Sequence, residues 1–170
     1  MKRFWLLAAF LSGTSLGQTP NETPMLGLEV SSGRLPPLEK RLPQPPLVVH
    51  METPGKHGGT LNSLVGRSRD TRLLVVYGYA RLVGYDRDLN IVPDILESLE
   101  VQEGRIFTLK LRKGHRWSDG HPFTTEDFRY YWEDVANNKE LSPAGPPNDL
   151  LVDGEPPKFE VLSPTVVRYS

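Results

Sequence analysis

The chain contains no cysteine, which excludes a disulfide scaffold, thiolate zinc sites, Fe–S ligation, a thiol nucleophile and a lipid anchor attached through cysteine. It also lacks an excess of either charge. Twenty basic side chains against 21 acidic ones leave a net charge of -1, without the basic surplus expected of a nucleic-acid binder. Long hydrophobic runs are missing too: Phe4 to Leu11 is apolar, far short of the ~20 residues needed to span a bilayer. Hydrophobic residues make up only 38%, yet 24% charged residues with near-neutral balance lie far from the composition of a disordered chain. One modest domain held by its own core is what 170 residues of this kind permit.

Part of that length is not fold. Lys2 and Arg3 precede the apolar stretch Phe4 to Leu11, and small or polar residues follow to Ser15-Leu16-Gly17. This order predicts a secretory signal peptide over residues 1–17, cut after Gly17. Proline is abundant where order is least expected. Pro20, Pro24, Pro36, Pro37, Pro43, Pro45, Pro46 and Pro54 are half of the 16 prolines. Without an amide donor and with φ fixed, they predict an extended leader over residues 18–57 that neither helix nor central strand runs through. The fold is expected over residues 58–170.

Within that fold the clearest patterns are local. Residues 60–65 suit a short strand, and Asp70 can cap a helix that contains Arg72, Leu73 and Leu74. From Leu73 to Val83, helix and buried strand fit equally well. Leu99 and Val101, the turn Gln102-Glu103-Gly104-Arg105, then Phe107, Leu109 and Leu111 at alternate positions predict a β-hairpin with one apolar face. Thr124 with Asp127 three residues on, and Phe123 placed to staple Phe128, predict a helix start. Phe128, Tyr131, Trp132 and Val135 then form one apolar stripe. Lys158 to Tyr169 reads as a second strand pair around Ser163-Pro164-Thr165. Ser170 ends the chain inside that strand, which predicts truncation.

Chemistry-bearing patterns are few. Gly13-Thr14-Ser15-Leu16-Gly17 fits the GxSxG string of a nucleophile elbow, but it lies in the removable signal with no strand before it. Asp86, Asp88, Asn90 and Glu97 imitate the spacing of an EF-hand loop. Ile91 stands where that loop needs glycine, so a plain turn rich in Asp and Asn is the better reading. His50, His57, His115 and His121 form neither an HxH nor an HExxH pair. The aromatics from Trp117 to Trp132 suit a core more than a ligand platform. No catalytic residue, metal ligand or cofactor site is assigned. The residues alone point to a secreted, non-catalytic α+β or α/β module.

Several blocks nevertheless follow one another in a familiar order. They are Gly58-Gly59-Thr60-Leu61, then Tyr79 to Asp86 (YARLVGYD), Ile91 to Ser98 (IVPDILES) and Phe107 to Gly114 (FTLKLRKG). Trp117-Ser118-Asp119-Gly120 and Pro122 to Phe128 (PFTTEDF) complete the series. In this the chain resembles the family 5 extracellular solute-binding proteins, the peptide, dipeptide and nickel receptors of ABC importers. The resemblance implies a two-lobed fold of the type II periplasmic-binding-protein kind, of which this chain supplies the amino-terminal portion. It also implies binding of a peptide or similar small solute without chemistry, followed by delivery to permease and ATPase subunits. On this reading the loop Gly66 to Asp70 and Tyr77 reach the ligand cleft, with Arg69 available to an anionic group. The competing and somewhat better-fitting reading is that Arg69 and Asp70 simply cap and solvate a helix start. With no cysteine to carry a lipid, the expected location is the periplasm, in soluble form. A secreted interaction module and an extracytoplasmic hydrolase are the alternatives.

Overall fold

A computed structural model describes residues 20–49, 51–53 and 55–170. The signal segment, the GxSxG string and His50 therefore lie outside the described residues. Short helices open the described chain: a 3-10 turn at Pro24–Leu26, α1 at Gly27–Ser31 and α2 at Leu38–Arg41. A 3-10 segment at Ser68–Leu74 runs into α3 at Val75–Gly78. Two small strands, β1 (Val83–Tyr85) and β2 (Ile91–Pro93), pair antiparallel. The main body consists of β3 (Leu96–Gln102), β4 (Ile106–Leu111), α4 (Thr125–Arg129) continued as a π-helical segment over Tyr130–Ala136, β5 (Phe159–Ser163) and β6 (Val166–Tyr169).

The four long strands form one antiparallel sheet in the order β3-β4-β6-β5. Period-two alternation divides its faces cleanly. Leu99, Leu109, Val167 and Val161 align across all four strands, and so do Val101, Phe107, Tyr169 and Phe159. Between these two apolar rungs runs Glu100, Thr108, Arg168 and Glu160, which belongs to the opposite face. The helix covers the apolar face on the β5–β6 side. Trp132 lies 6.1 Å from Phe159 and 5.9 Å from Tyr169 between ring centroids, the latter contact edge-to-face. Leu96, Leu111, Trp132, Ala136 and Val167 are the buried hydrophobic core.

The start of α4 forms as its residues dictate. Thr124 and Asp127 make a full capping box, and Phe123 packs 5.6 Å from Phe128. Buried Thr125 donates its hydroxyl to the Ser163 carbonyl at 2.8 Å, which ties the helix to the β5–β6 turn. The stripe expected beyond it is broken. From Tyr130 the helix widens to π geometry, so the Asn137 amide reaches back to the Trp132 carbonyl, five residues away. Tyr131 turns outward, and Ala136 joins Trp132 in the core.

Other expectations fail for physical reasons. Residues 60–65 form no strand and are exposed throughout, because no partner edge meets them. Asp70 is not a cap: the 3-10 segment begins two residues earlier, after extended Arg67. The proline-rich leader does contain helices, because its prolines stand at their starts, Pro24 in the first turn and Pro37 at the cap of α2, where a missing amide breaks no bond. The leader also touches the fold. The Gln44 amide donates to the Lys113 carbonyl at 2.9 Å, and Arg112 Nη1 reaches the Pro45 carbonyl at 3.4 Å.

Candidate functional site

The residues expected at a ligand site, Arg69, Asp70 and Tyr77, sit on two consecutive short elements. Arg69 and Asp70 belong to the 3-10 segment and Tyr77 to α3. Arg69 is exposed and takes part in no ion pair among the described residues. Asp70 is half-buried, with its amide bonded to the Arg67 carbonyl at 2.9 Å and its carboxylate beside Gly66. The side chain of Tyr77 lies outside the described residues. Around this segment Leu61, Leu64, Leu73 and Val75 face outward, so the region presents apolar surface beside the exposed guanidinium groups of Arg67, Arg69 and Arg72.

The turn at Asp86 is locally self-contained. Its carboxylate accepts the Asp88 amide at 2.9 Å, the Asn90 amide at 2.8 Å and the Asn90 side-chain amide at 3.0 Å. The Asn90 side chain first and then these amides hold its pKa below the ordinary carboxylate range. Its oxygens are thus used to close a turn. Among the described residues no group of three or more His, Asp or Glu side chains converges as a metal site would require.

The Trp117-Ser118-Asp119-Gly120 block is a tight loop pinned at both ends. Asp119 Oδ1 accepts the His121 amide at 2.8 Å, Gly120 adopts φ +91°, and the Trp117 amide donates to the His121 carbonyl. Trp117 stacks edge-on against Phe123 at 5.2 Å, and its indole N–H donates to Asp127 Oδ1 at 3.0 Å. The other oxygen of Asp127 accepts the Thr124 amide at 2.7 Å. One carboxylate therefore fixes both the loop and the helix start. This is the folding role expected of the block, except that Trp117 keeps half of its surface exposed.

Sequence reasoning missed a concavity between two distant segments. A cleft of ≈ 570 Å³ opens between residues 34–41 of the leader and residues 116–120 of this loop. Its two walls are about eighty residues apart in sequence, and neither carries a pattern that announces the other.

Comparison with known proteins places this architecture. Residues 90–170 match the description "Bacterial extracellular solute-binding proteins, family 5 Middle". This segment, just under half of the chain, is similar to that family. The match takes in β2, the whole four-stranded sheet and α4. The chain is 37% identical over 62 residues to the periplasmic murein peptide-binding protein MppA of Escherichia coli K12, covering 36% of this chain and 12% of MppA. It is 26% identical over 140 residues to the periplasmic alpha-galactoside-binding protein of Rhizobium meliloti 1021, covering 67% of this chain and 20% of that protein. Among solved structures, the oligopeptide-binding protein OppA superposes with a TM-score of 0.71 at 34% identity, over 88% of this chain and 23% of its own. The fold is thus a portion of the two-lobed type II periplasmic-binding-protein architecture, and the chain spans about a fifth or less of these curated relatives. These relatives are binding proteins by name, and no helix among the described residues is long and apolar enough to cross a membrane.

Proposed function

We propose that this protein is the extracytoplasmic solute-binding component of an ABC importer, capturing peptides or similar small solutes and passing them to a membrane permease driven by ATPase subunits. The observation that carries this reading is the superposition on OppA over 88% of the chain. The mechanism is binding without chemistry. Differential affinity for a closed state shifts an open–closed equilibrium, and closure buries the solute. In this account the loop Gly66 to Asp70 forms part of the first wall of the cleft. Arg69 offers a charge-assisted hydrogen bond to an anionic group, and Asp70 and Tyr77 lie beside it. The protein acts in the periplasm as a soluble receptor without a lipid anchor, and it is not an enzyme. The leader over residues 18–57 joins the signal segment to the receptor fold over residues 58–170.

Oligosaccharide capture is a second reading, favoured by the alpha-galactoside-binding relative, whose alignment covers 67% of the chain. A chimera separates the two. Residues 58–170 replace the superposed portion of OppA, and thermal stabilisation is measured with peptides and with alpha-galactosides, since a ligand that binds only the native state raises its melting temperature.

A further inference from the structure

The cleft between the leader and the Trp117 loop belongs neither to the expected ligand wall at residues 66–77 nor to the family segment alone. One wall is Arg34, Leu35, Pro36, Lys40 and Arg41, and the other is Arg116 to Gly120. Four cationic side chains face one carboxylate across it, and that carboxylate, Asp119, is occupied in closing its own turn. The cations are not equivalent. Arg34 is bound in a bidentate pair to Glu29 at 2.6 and 2.8 Å, and Arg41 is paired with Glu22 and donates to the Pro36 carbonyl at 2.8 Å. Lys40 and Arg116 enter no ion pair among the described residues. Arg116 uses Nη1 to hold the Gly120 carbonyl at 2.8 Å, which fixes its guanidinium against the loop and leaves its charge uncompensated.

Beside Ser118, the rest of the cleft is lined by apolar side chains. Leu35 and Pro36 line the leader side, and Trp117 lines the loop side with half of its surface open. The Trp117 ring cannot swing away freely, because Asp127 holds its indole N–H and Phe123 packs against it. The volume, ≈ 570 Å³, lies within the range of small-molecule sites. Two uncompensated cations beside a fixed indole and two apolar residues define an amphipathic anion as the complementary ligand. A carboxylate satisfies Lys40 and Arg116, and an adjoining apolar or aromatic group packs on Trp117.

We propose that this cleft is a second ligand site, separate from the solute cleft, which takes a carboxylate carried next to an apolar group, as in an acidic peptide segment. The proposal does not depend on the importer reading, because its residues lie outside the solute wall assigned to residues 66–77. It is tested on the full chain by calorimetric titration with two blocked dipeptides, N-acetyl-Glu-Phe-amide and N-acetyl-Gln-Phe-amide, and with inorganic phosphate. The expected result is saturable binding of the glutamyl peptide alone, weakened about tenfold by Lys40→Gln and by Arg116→Gln and reduced as ionic strength rises. Both substitutions fall on exposed side chains, and the Lys40 ammonium makes no hydrogen bond or ion pair among the described residues. Equal binding of the glutaminyl peptide, binding of phosphate alone, absence of saturable binding in the millimolar range, or unchanged affinity in both variants overturns the proposal.

Discussion

Asp127 joins the Trp117 loop to the start of α4. One oxygen caps α4 through the Thr124 amide, and the other positions Trp117. Asp127→Ala removes both contacts at once. The expected cost is about 1–2 kcal/mol from the lost cap alone, seen as a lower urea midpoint. Trp117 should also become more accessible to acrylamide quenching, which a pure capping defect would not produce. His115 is one residue whose environment makes stability depend on pH. Burial first and the neighbouring Arg112 second push its pKa below the ordinary histidine value, against the opposing pull of the Ile95 carbonyl and Asp94. Its Nε2 is buried without a hydrogen-bond partner. The folded form therefore binds a proton less readily than the unfolded chain. The stability it supports is complete above the unfolded pKa near 6.5 and is lost as pH falls through the lower folded value. Replacing it by the uncharged His115→Gln should flatten the fall in stability below about pH 6.5 in chemical denaturation measured stepwise in pH.

At the scale of elements, the parts legible in the sequence are those made by contacts within a few residues. The hairpin of β3 and β4 follows from strict alternation and from Glu103 and Gly104, which adopt the positive φ angles of +52° and +68° that its turn requires. The same holds for β5 and β6, and for the capped start of α4. What the sequence hid depends on partners far along the chain. The β4–β6 pairing joins Leu109 to Val167 across the whole helical segment, and no periodicity records it. The π-helical stretch hid the outward turn of Tyr131, because a 3.6-residue period was assumed through Tyr130–Ala136. The leader was read by its composition, yet residues 42–45 close against the Lys113-Gly114 turn. There Gly114 is essential: at φ +92° a Cβ would meet Pro43 Cα at 3.2 Å. Gly114→Ala is expected to lift this strap and cost about 1–3 kcal/mol. Faster hydrogen exchange at the Gln44 amide, with exchange in β3 and β4 unchanged, would identify the strap as the part that yields.

For the whole molecule, the proposed solute wall came from a resemblance and not from the residues alone. Arg69, Asp70 and Tyr77 were named because a resemblance pointed to them, and the structure places them on adjoining short elements surrounded by exposed leucines and Val75. The basic cleft was invisible, because it forms only when the leader meets the Trp117 loop. The apolar face of the sheet is likewise covered by Trp132 at β5–β6 and left open at Val101 and Phe107. On the proposed reading, solute capture depends on surfaces that meet across a cleft, so the decisive test is functional replacement. The OppA chimera carrying residues 58–170 should fold, as judged by circular dichroism, and should be stabilised by peptides that leave the assay chemically intact. A chimera that folds but is stabilised by no peptide, or that returns its peptides hydrolysed, would contradict the account.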